Sequence, residues 1–306
     1  MSIFPTRILL ATDGSEGARL ASDTAATLVA STDSELHVVC VGPGLPLYEL
    51  PDYPARFEET VAAQKHEAQR VLDTEAKRLE DAGAAVAEAR LETDERPDRV
   101  IVRLAEELNA GLIVVGSRGL GGLRGALMGS VSSSVVHHAH CPVMVVRDEP
   151  LALPTRILLA TDGSEDARRA TDAALDLAER LDSELHLTYV ESMPQRHAGP
   201  ARFAIDLPPE VVAGVEEEAE IKLAEQVGEM GEGRGKIPRA HARVGSPAAE
   251  IVALAEELEA GVLVVGSRGL GGIRRALMGS VSDSVVRHAH CPVLVVRPRH
   301  KRSAEH

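Results

Sequence analysis

Two tandem α/β domains, each a doubly wound parallel sheet, are the fold that this 306-residue sequence predicts. Three observations lead there. First, long blocks recur in order: Thr6–Glu16 returns unchanged as Thr155–Glu165, Ser34–His37 as Ser183–His186, and His138–Val143 as His288–Val293. A repeat this long is a duplicated domain, not a solenoid unit of about 20–50 residues. Second, short continuous apolar runs alternate with helical patterns in each half, as in a parallel sheet covered on both faces. Third, the fourth apolar run of each half opens into a glycine-rich turn and then a helix. The turn is Gly116-x2-Gly119-x9-Gly129-Ser130 in one half and Gly266-x2-Gly269-x9-Gly279-Ser280 in the other. The expected domains are 1–150 and 151–306. The linker between them is short and carries two prolines, Pro150 and Pro154, so the halves are expected to pack together.

The elements of the first half follow in order. Ile8–Ala11 is a short apolar strand ending at Thr12-Asp13-Gly14-Ser15, and Ser15 opens a helix with Ala18, Ala21, Ala25 and Leu28 on one face. Glu35–Val41 is rich in β-branched residues and reads as the second strand. A proline-rich stretch with Pro43, Pro46, Pro51 and Pro54 precedes a long charged helix over 58–81. Ala85–Leu91 is the third strand, and Pro97 starts a helix reaching Leu108, since proline suits a first turn. Leu112–Val115 is the fourth strand, Ser130–Ala139 a helix, and Pro142–Val146 the fifth strand.

In such a sheet, ligands bind outside the carboxyl ends of the strands. Asp13 lies just past strand one and Gly116 just past strand four, so both are expected to line one crevice. Glycine permits close approach, successive N–H groups form a concave anion nest, and a helix start presents unpaired donors at the positive end of its dipole. The expected ligand therefore carries phosphate, once per half. Ser130 and Ser280 are expected at the helix cap, and Arg118 and Arg268, inside the turns, can add charge-assisted bonds. Asp13 would repel a triphosphate unless it bonds a ribose hydroxyl or holds Mg²⁺ through water; the simpler reading is a cap on the first helix. Ser130 as a plain cap and Arg118 as a solvated side chain are the corresponding simpler readings. His138, His140 and Cys141 crowd a helix-to-strand junction in poor geometry for a metal.

Composition narrows the function. The net charge is −14, with 14 basic against 23 acidic side chains in residues 1–150 and 19 against 24 in the rest. Neither half offers the field that attracts nucleic acid or an anionic membrane, and 2% aromatics with no Trp leaves no base-stacking platform. Three cysteines form no disulfide framework. Cys141 and Cys291, at matching places before the last strands, read as buried thiols, with a redox pair across the halves as the alternative. No signal peptide or apolar span is visible, and the expected location is cytoplasmic. Arg297, Arg299, His300, Lys301 and Arg302 read as a solvated basic tail, with a docking arm as the alternative.

The segments ILLATDGSE (8–16), VVGSRGLGGLRGALMGSVSSSVV (114–136) and HCPVMVV (140–146), each with a second copy, resemble the universal stress protein family in its tandem form, and the glycine–serine spacing resembles its ATP-binding branch. The resemblance covers nearly the whole chain. It implies strand order 3-2-1-4-5 and ATP, with Mg²⁺, at the ends of strands one and four. By position it places Asp13 and Asp162 near ribose and metal, and Val41 and Val190 against adenine. Gly116, Gly119, Gly129 and Ser130 would hold phosphate, as would Gly266, Gly269, Gly279 and Ser280. Ala11, Arg118, Val131 and Ser132, with Ala160, Arg268, Val281 and Ser282, complete the implied sites. It also implies pairing through the last strand, here between the two halves of one chain, and allows a further homodimer.

The leading functional expectation is a cytoplasmic ATP-binding regulator of stress response acting on a protein partner. The alternatives are a slow ATPase or autophosphorylating enzyme and a nucleotide-free interaction module. No general base, nucleophile or Walker A lysine stands near the glycine turn. The halves differ before the third helix, where Asp94-Glu95-Arg96-Pro97 faces Val244-Gly245-Ser246-Pro247, and at Gly125 against Arg275. A negative Glu95 beside the pocket leads to the expectation of unequal affinities, the second site binding more reliably.

Overall fold

The computed structural model describes residues 4, 6–42, 54–93, 95–120, 128–153, 155–192, 209–231, 238–270 and 278–298, without the side chains of 54–58, 209 and 231. In the first half, β1 (Arg7–Thr12), α1 (Glu16–Thr32), β2 (Glu35–Val41), α2 (Pro54–Asp81) and β3 (Val86–Glu92) come first. They lead into α3 (Pro97–Glu107), β4 (Leu112–Gly116), α4 (Ser130–His138) and β5 (Val143–Val146). The second half repeats this with β6 (Arg156–Thr161), α5 (Glu165–Arg180), β7 (Glu184–Ser192), α6 (Pro209–Gly231) and β8 (Arg239–Gly245). It ends with α7 (Pro247–Glu257), β9 (Val262–Gly266), α8 (Ser280–His288) and β10 (Val293–Val296). The expected elements of the first half are present, with ends moved by a residue or two except at α2, whose backbone starts at Pro54.

The two halves share one ten-stranded sheet, ordered β3-β2-β1-β4-β5-β10-β9-β6-β7-β8. Within each half the pairings are parallel, in the order 3-2-1-4-5 and its repeat. At the centre β5 and β10 pair antiparallel, with Met144 opposite Leu294 and Val145 opposite Val293. Short apolar last strands, VMVV and VLVV, are edge strands that would template association if left open. Pairing them with each other closes both edges.

The sheet is covered on both faces, and both cores run across the seam. Ile8, Leu10, Leu28 and Met144 share one core with Ile157 and Leu294, while Leu9, Ile101 and Val143 share the other with Leu158, Leu263 and Val293. Further ties cross between halves. Phe4 N–H donates to Asp176 Oδ2 at 3.2 Å, and Arg180 returns a bond to the Phe4 carbonyl at 2.7 Å. Leu151, in the linker, donates to Thr24 Oγ1 on α1 at 3.0 Å.

Arg297 departs from the reading of a solvated tail: it is buried. Its guanidinium bonds the carbonyls of His137, at 3.2 Å, and Ala139, at the end of α4 in the other half. Arg147, just past β5, is also buried and reaches the Val286 carbonyl near the end of α8 at 3.4 Å. Cations at helix C-termini meet the negative end of the dipole, so each half holds the last helix of the other. Burial pushes both guanidiniums below their ordinary pKa. The remaining tail residues, 299–306, and the proline-rich stretch 43–53 lie outside the described residues. Among the described residues, no helix is long and apolar enough to cross a membrane.

Two stability predictions follow from this packing. Leu294→Ala, at the seam, is expected to cost about 2–5 kcal/mol of unfolding free energy by urea titration. An unchanged midpoint would mean that the seam contributes nothing. The second concerns His186 and His241, whose rings stack at 5.2 Å with Nδ1 and Nε2 2.9 Å apart. Burial lowers the pKa of both, against a favourable pull from Glu184 on His186 and from Glu257 on His241. The neighbouring Arg156, Arg239 and Arg243 push the same way as burial. A His with a depressed folded pKa leaves the unfolded chain binding more protons, so stability is full above about pH 6.5 and falls as pH drops through that value. Urea midpoints on either side of about pH 6.5 should show this loss, and His186→Leu with His241→Leu should make it shallower.

Candidate functional site

The first-half site is built where β1 and β4, neighbours in the sheet, both end. Past β1 the chain turns through Gly14, whose φ of +76° glycine adopts without strain. Ser15 then caps α1, its hydroxyl accepting from Ala18 N–H at 3.2 Å. The helix cap is therefore Ser15, and Asp13 does something else. Its Oδ1 accepts from Ser15 N–H at 3.0 Å and its Oδ2 from Leu120 N–H at 2.9 Å. One carboxylate thus joins the start of α1 to the glycine turn after β4. Asp162 makes the same two bonds, to Ser164 at 3.0 Å and Leu270 at 2.8 Å.

This geometry accounts for two of the three glycines of the spaced motif in each half. A Cβ on Gly119 would fall on Asp13 Oδ2, and one on Gly269 on Asp162 Oδ2. A Cβ on Gly116 would fall on the Gly17 carbonyl at the start of α1. Gly129 and Gly279 differ. Their φ values, −72° and −76°, suit any residue, and a Cβ would meet nothing nearer than 3.4 and 3.5 Å. Protein packing therefore does not require glycine there.

Gly129 and Gly279 are themselves the caps of α4 and α8, with no side-chain bond. The expectation that Ser130 and Ser280 cap these helices is corrected: each is the first helical residue, one position too late to cap. The serine that fixes the helix is the next but one. Ser132 Oγ donates to the Gly116 carbonyl at 2.6 Å, and Ser282 Oγ to Gly266 at 2.6 Å. The end of β4 is thereby bonded to the first turn of α4.

A cavity of about 520 Å³ opens at this junction. Every first-half site residue expected from sequence lines it: Ala11, Asp13 and Val41 from the strand ends, Gly116, Arg118 and Gly119 from the turn, and Gly129, Ser130, Val131 and Ser132 from the start of α4. Val39, Pro97, Ile101 and Val115 add apolar wall that the motifs alone did not mark. Arg287, from α8 of the other half, also lines it, and nothing in the sequence pattern signalled that reach. The second-half counterparts stand at the matching places: Ala160 in β6, Asp162 just past it, Val190 in β7, Gly266 ending β9, Arg268 and Gly269 in the turn, and Gly279, Ser280, Val281 and Ser282 at the start of α8.

The two sites are not electrostatic copies. Arg118 is half exposed, its nearest acidic partner Asp148 Oδ1 lying 3.8 Å away. Arg268 donates through Nε to Asp166 Oδ2 at 2.9 Å, and Ser267 Oγ bonds the same oxygen at 2.8 Å. Asp166 is buried; burial opposes its charge, but the bonds from Arg268 and Ser267 outweigh that and hold its carboxyl below the usual range. The repeat-equivalent of Asp166 is Gly17, a difference the sequence displayed within otherwise matching segments. Glu95, expected to crowd the first pocket, lies 3.4 Å from Arg103, which also bonds Glu92 and Glu107. Asp94, Gly125 and Arg275 lie outside the described residues.

The His–Cys segment disperses its polar groups. His138 Nδ1 lies 2.8 Å from the Ser134 carbonyl, His140 Nε2 lies 2.7 Å from Glu106, and Cys141 is buried and in no disulfide. Burial pushes the Cys291 thiol up to about 12, far from reactive thiolate.

Comparison with known proteins identifies the family and the fold. The universal stress protein family model matches residues 5–147 and 154–297. Universal stress protein Rv2005c of Mycobacterium tuberculosis is 35% identical over 206 residues, spanning 66% of this chain and 66% of that protein. Universal stress protein Rv1996 of the same organism is 31% identical over 311 residues, spanning 95% of this chain and 94% of that protein. Among solved structures, a universal stress protein from Archaeoglobus fulgidus superimposes with a TM-score of 0.68 at 25% identity, covering 97% of this chain and 98% of that one. With a full family domain matched in each half and a relative aligned nearly end to end, the chain belongs to the universal stress protein family, in its tandem two-domain form.

Proposed function

We propose that the protein binds an adenine nucleotide, ATP with Mg²⁺, at the strand ends of each half and acts as a nucleotide-dependent regulator in stress response. The observation that carries this reading is the bare cap of α4. Gly129 has no packing reason to be glycine, and it stands at a helix start whose first N–H groups lack intrahelical partners, beside a cavity. An anion there meets backbone donors and the positive end of the helix dipole without a side chain in the way. The lining suits the remainder of a nucleotide: Val39, Val41, Pro97 and Ile101 offer apolar surface for a base, while the turn and α4 offer donors for phosphate.

Asp13 takes a defined part in this reading. A carboxylate has about four lone-pair sites, and two N–H bonds leave it able to accept a ribose hydroxyl or a Mg²⁺-bound water. Its two bonds to Ser15 and Leu120 also hold the turn in shape before ligand arrives, which lowers the ordering cost of binding. Regulation then requires that nucleotide favour one conformation or partner state over another by differential affinity.

Isothermal titration of nucleotide-stripped, folded protein with Mg-ATP should give saturable binding that Gly129→Val removes from the first site. Glycine there is open enough to take a Cβ, so the variant should remain folded. Folded protein that gives no heat and carries no nucleotide would overturn the reading and leave a nucleotide-free interaction module. Asp13→Ala should both weaken nucleotide at the first site and lower unfolding free energy by about 1–3 kcal/mol, because it strands two N–H groups. An Asp13→Ala chain with unaltered affinity would contradict the role given to that carboxylate.

A further inference from the structure

Three differences between the repeats all fall around the anion end of the candidate sites. Arg287, on α8 of the second half, lines the first-half cavity; its repeat-equivalent in the first half is His137. The first turn of α4 carries Ser133 where the first turn of α8 carries Asp283. Gly17, at the start of α1, corresponds to Asp166, which holds Arg268. Each substitution makes the first site more positive or the second more negative.

From these we propose that the first-half site is completed across the seam by Arg287, which acts as a phosphate ligand in trans, and that this site takes the more highly phosphorylated nucleotide more tightly than the second. The proposal rests on the nucleotide reading above and adds to it which half binds better, and through which residue. The β5–β10 pairing makes the reach possible, because it sets α4 and α8 beside each other: His137 Nε2 on α4 lies 3.6 Å from Asp283 Oδ1 on α8.

Asp283 is the positioning residue. It accepts from Arg287 Nε at 2.9 Å and from Nη2 at 3.2 Å, a fork that orients the guanidinium and leaves Nη1 for a ligand. Both partners of that pair are about one-third exposed and lie one helical turn apart, so the pair is weak enough to share its cation with phosphate. The Arg268–Asp166 pair is different. Asp166 is only 5% exposed and holds two cations, Arg268 on Oδ2 and Arg169 on Oδ1, so drawing Arg268 away would cost a buried carboxylate one of its two charged partners. The first site thus offers two arginines, Arg118 and Arg287, that a polyphosphate can recruit. The second has its arginine engaged, and the first turn of its α8 carries Asp283, already paired with Arg287, where α4 carries Ser133. The order of affinities is the reverse of that suggested by Glu95, which is not among the residues lining the cavity and lies 3.4 Å from Arg103.

The test uses the full chain with one site closed at a time. Gly279→Val leaves the first site open and Gly129→Val the second. Mg-ATP should bind more tightly to Gly279→Val than to Gly129→Val. In the Gly279→Val background, Arg287→Gln should weaken ATP about tenfold, the loss of one charged hydrogen bond, and AMP by less than about twofold. Arg287→Lys should restore part of the ATP affinity, since it keeps the charge without the fork. A merely structural role for Arg287 predicts equal losses for ATP and AMP, and that result overturns the proposal. Binding that does not depend on Arg287, or is tighter at the second site, overturns it also. If the unsubstituted chain binds neither nucleotide, the nucleotide reading itself fails and this one with it.

Discussion

The antiparallel pairing of β5 with β10 is the constraint on which the rest of the molecule depends. Each half ends in a four-residue apolar strand that is half of a sheet centre and, alone, an exposed edge. Joining the two edges makes one ten-stranded sheet, lets both apolar cores run through, and sets α4 against α8. Arg147 and Arg297, each just past its own last strand, then reach the carbonyl end of the other half's helix. Those helices are the ones whose opposite ends open the candidate sites. The open cap at each candidate site and the interface between halves are therefore two ends of the same helix.

Within each half the site is organised by one carboxylate. Asp13 and Asp162 use both oxygens to bond backbone N–H groups on separate elements, so the crevice has its shape without ligand. Gly119 and Gly269 are glycines because the carboxylate occupies the place of a Cβ. Gly116 is glycine because α1 approaches the end of β4. What remains after these packing roles are assigned is Gly129 and Gly279, open at the helix caps. The spaced glycine motif here is two glycines that packing requires and one where a Cβ would make only ordinary contacts.

Much of this was legible in the sequence, for a physical reason in each case. Continuous apolar runs such as Leu112–Val115 mark strands buried on both faces, and the repeat of Thr6–Glu16 at Thr155–Glu165 marks the duplication. Asp13 and Gly116 could be set at one crevice because strand ends adjacent in a doubly wound sheet converge by topology, while Ala11, Val41, Val131 and Ser132 in the expected lining came from the resemblance to the family. The rest needed three dimensions. Ser130 reads as a cap until the helix start is located one residue earlier. Arg297 reads as tail until its burial against α4 is seen. Arg287 is more than 150 residues in sequence from the turn whose cavity it lines, and no local period encodes that contact. The exchange of Gly17 for Asp166 was visible in the aligned repeats, but its consequence for Arg268 depends on a distance of 2.9 Å that sequence does not carry.

The central claim is that the open caps at the strand ends receive nucleotide phosphate. A crystal structure of the full chain grown with Mg²⁺ and a non-hydrolysable ATP analogue tests it most directly. The expected result is phosphate density against the N–H groups of Gly129 to Ser132, with the base on the Val41 and Ile101 side of the cavity and Arg287 turned toward the phosphates. A well-ordered structure with both caps empty at saturating analogue, or with the nucleotide bound away from them, would contradict the claim.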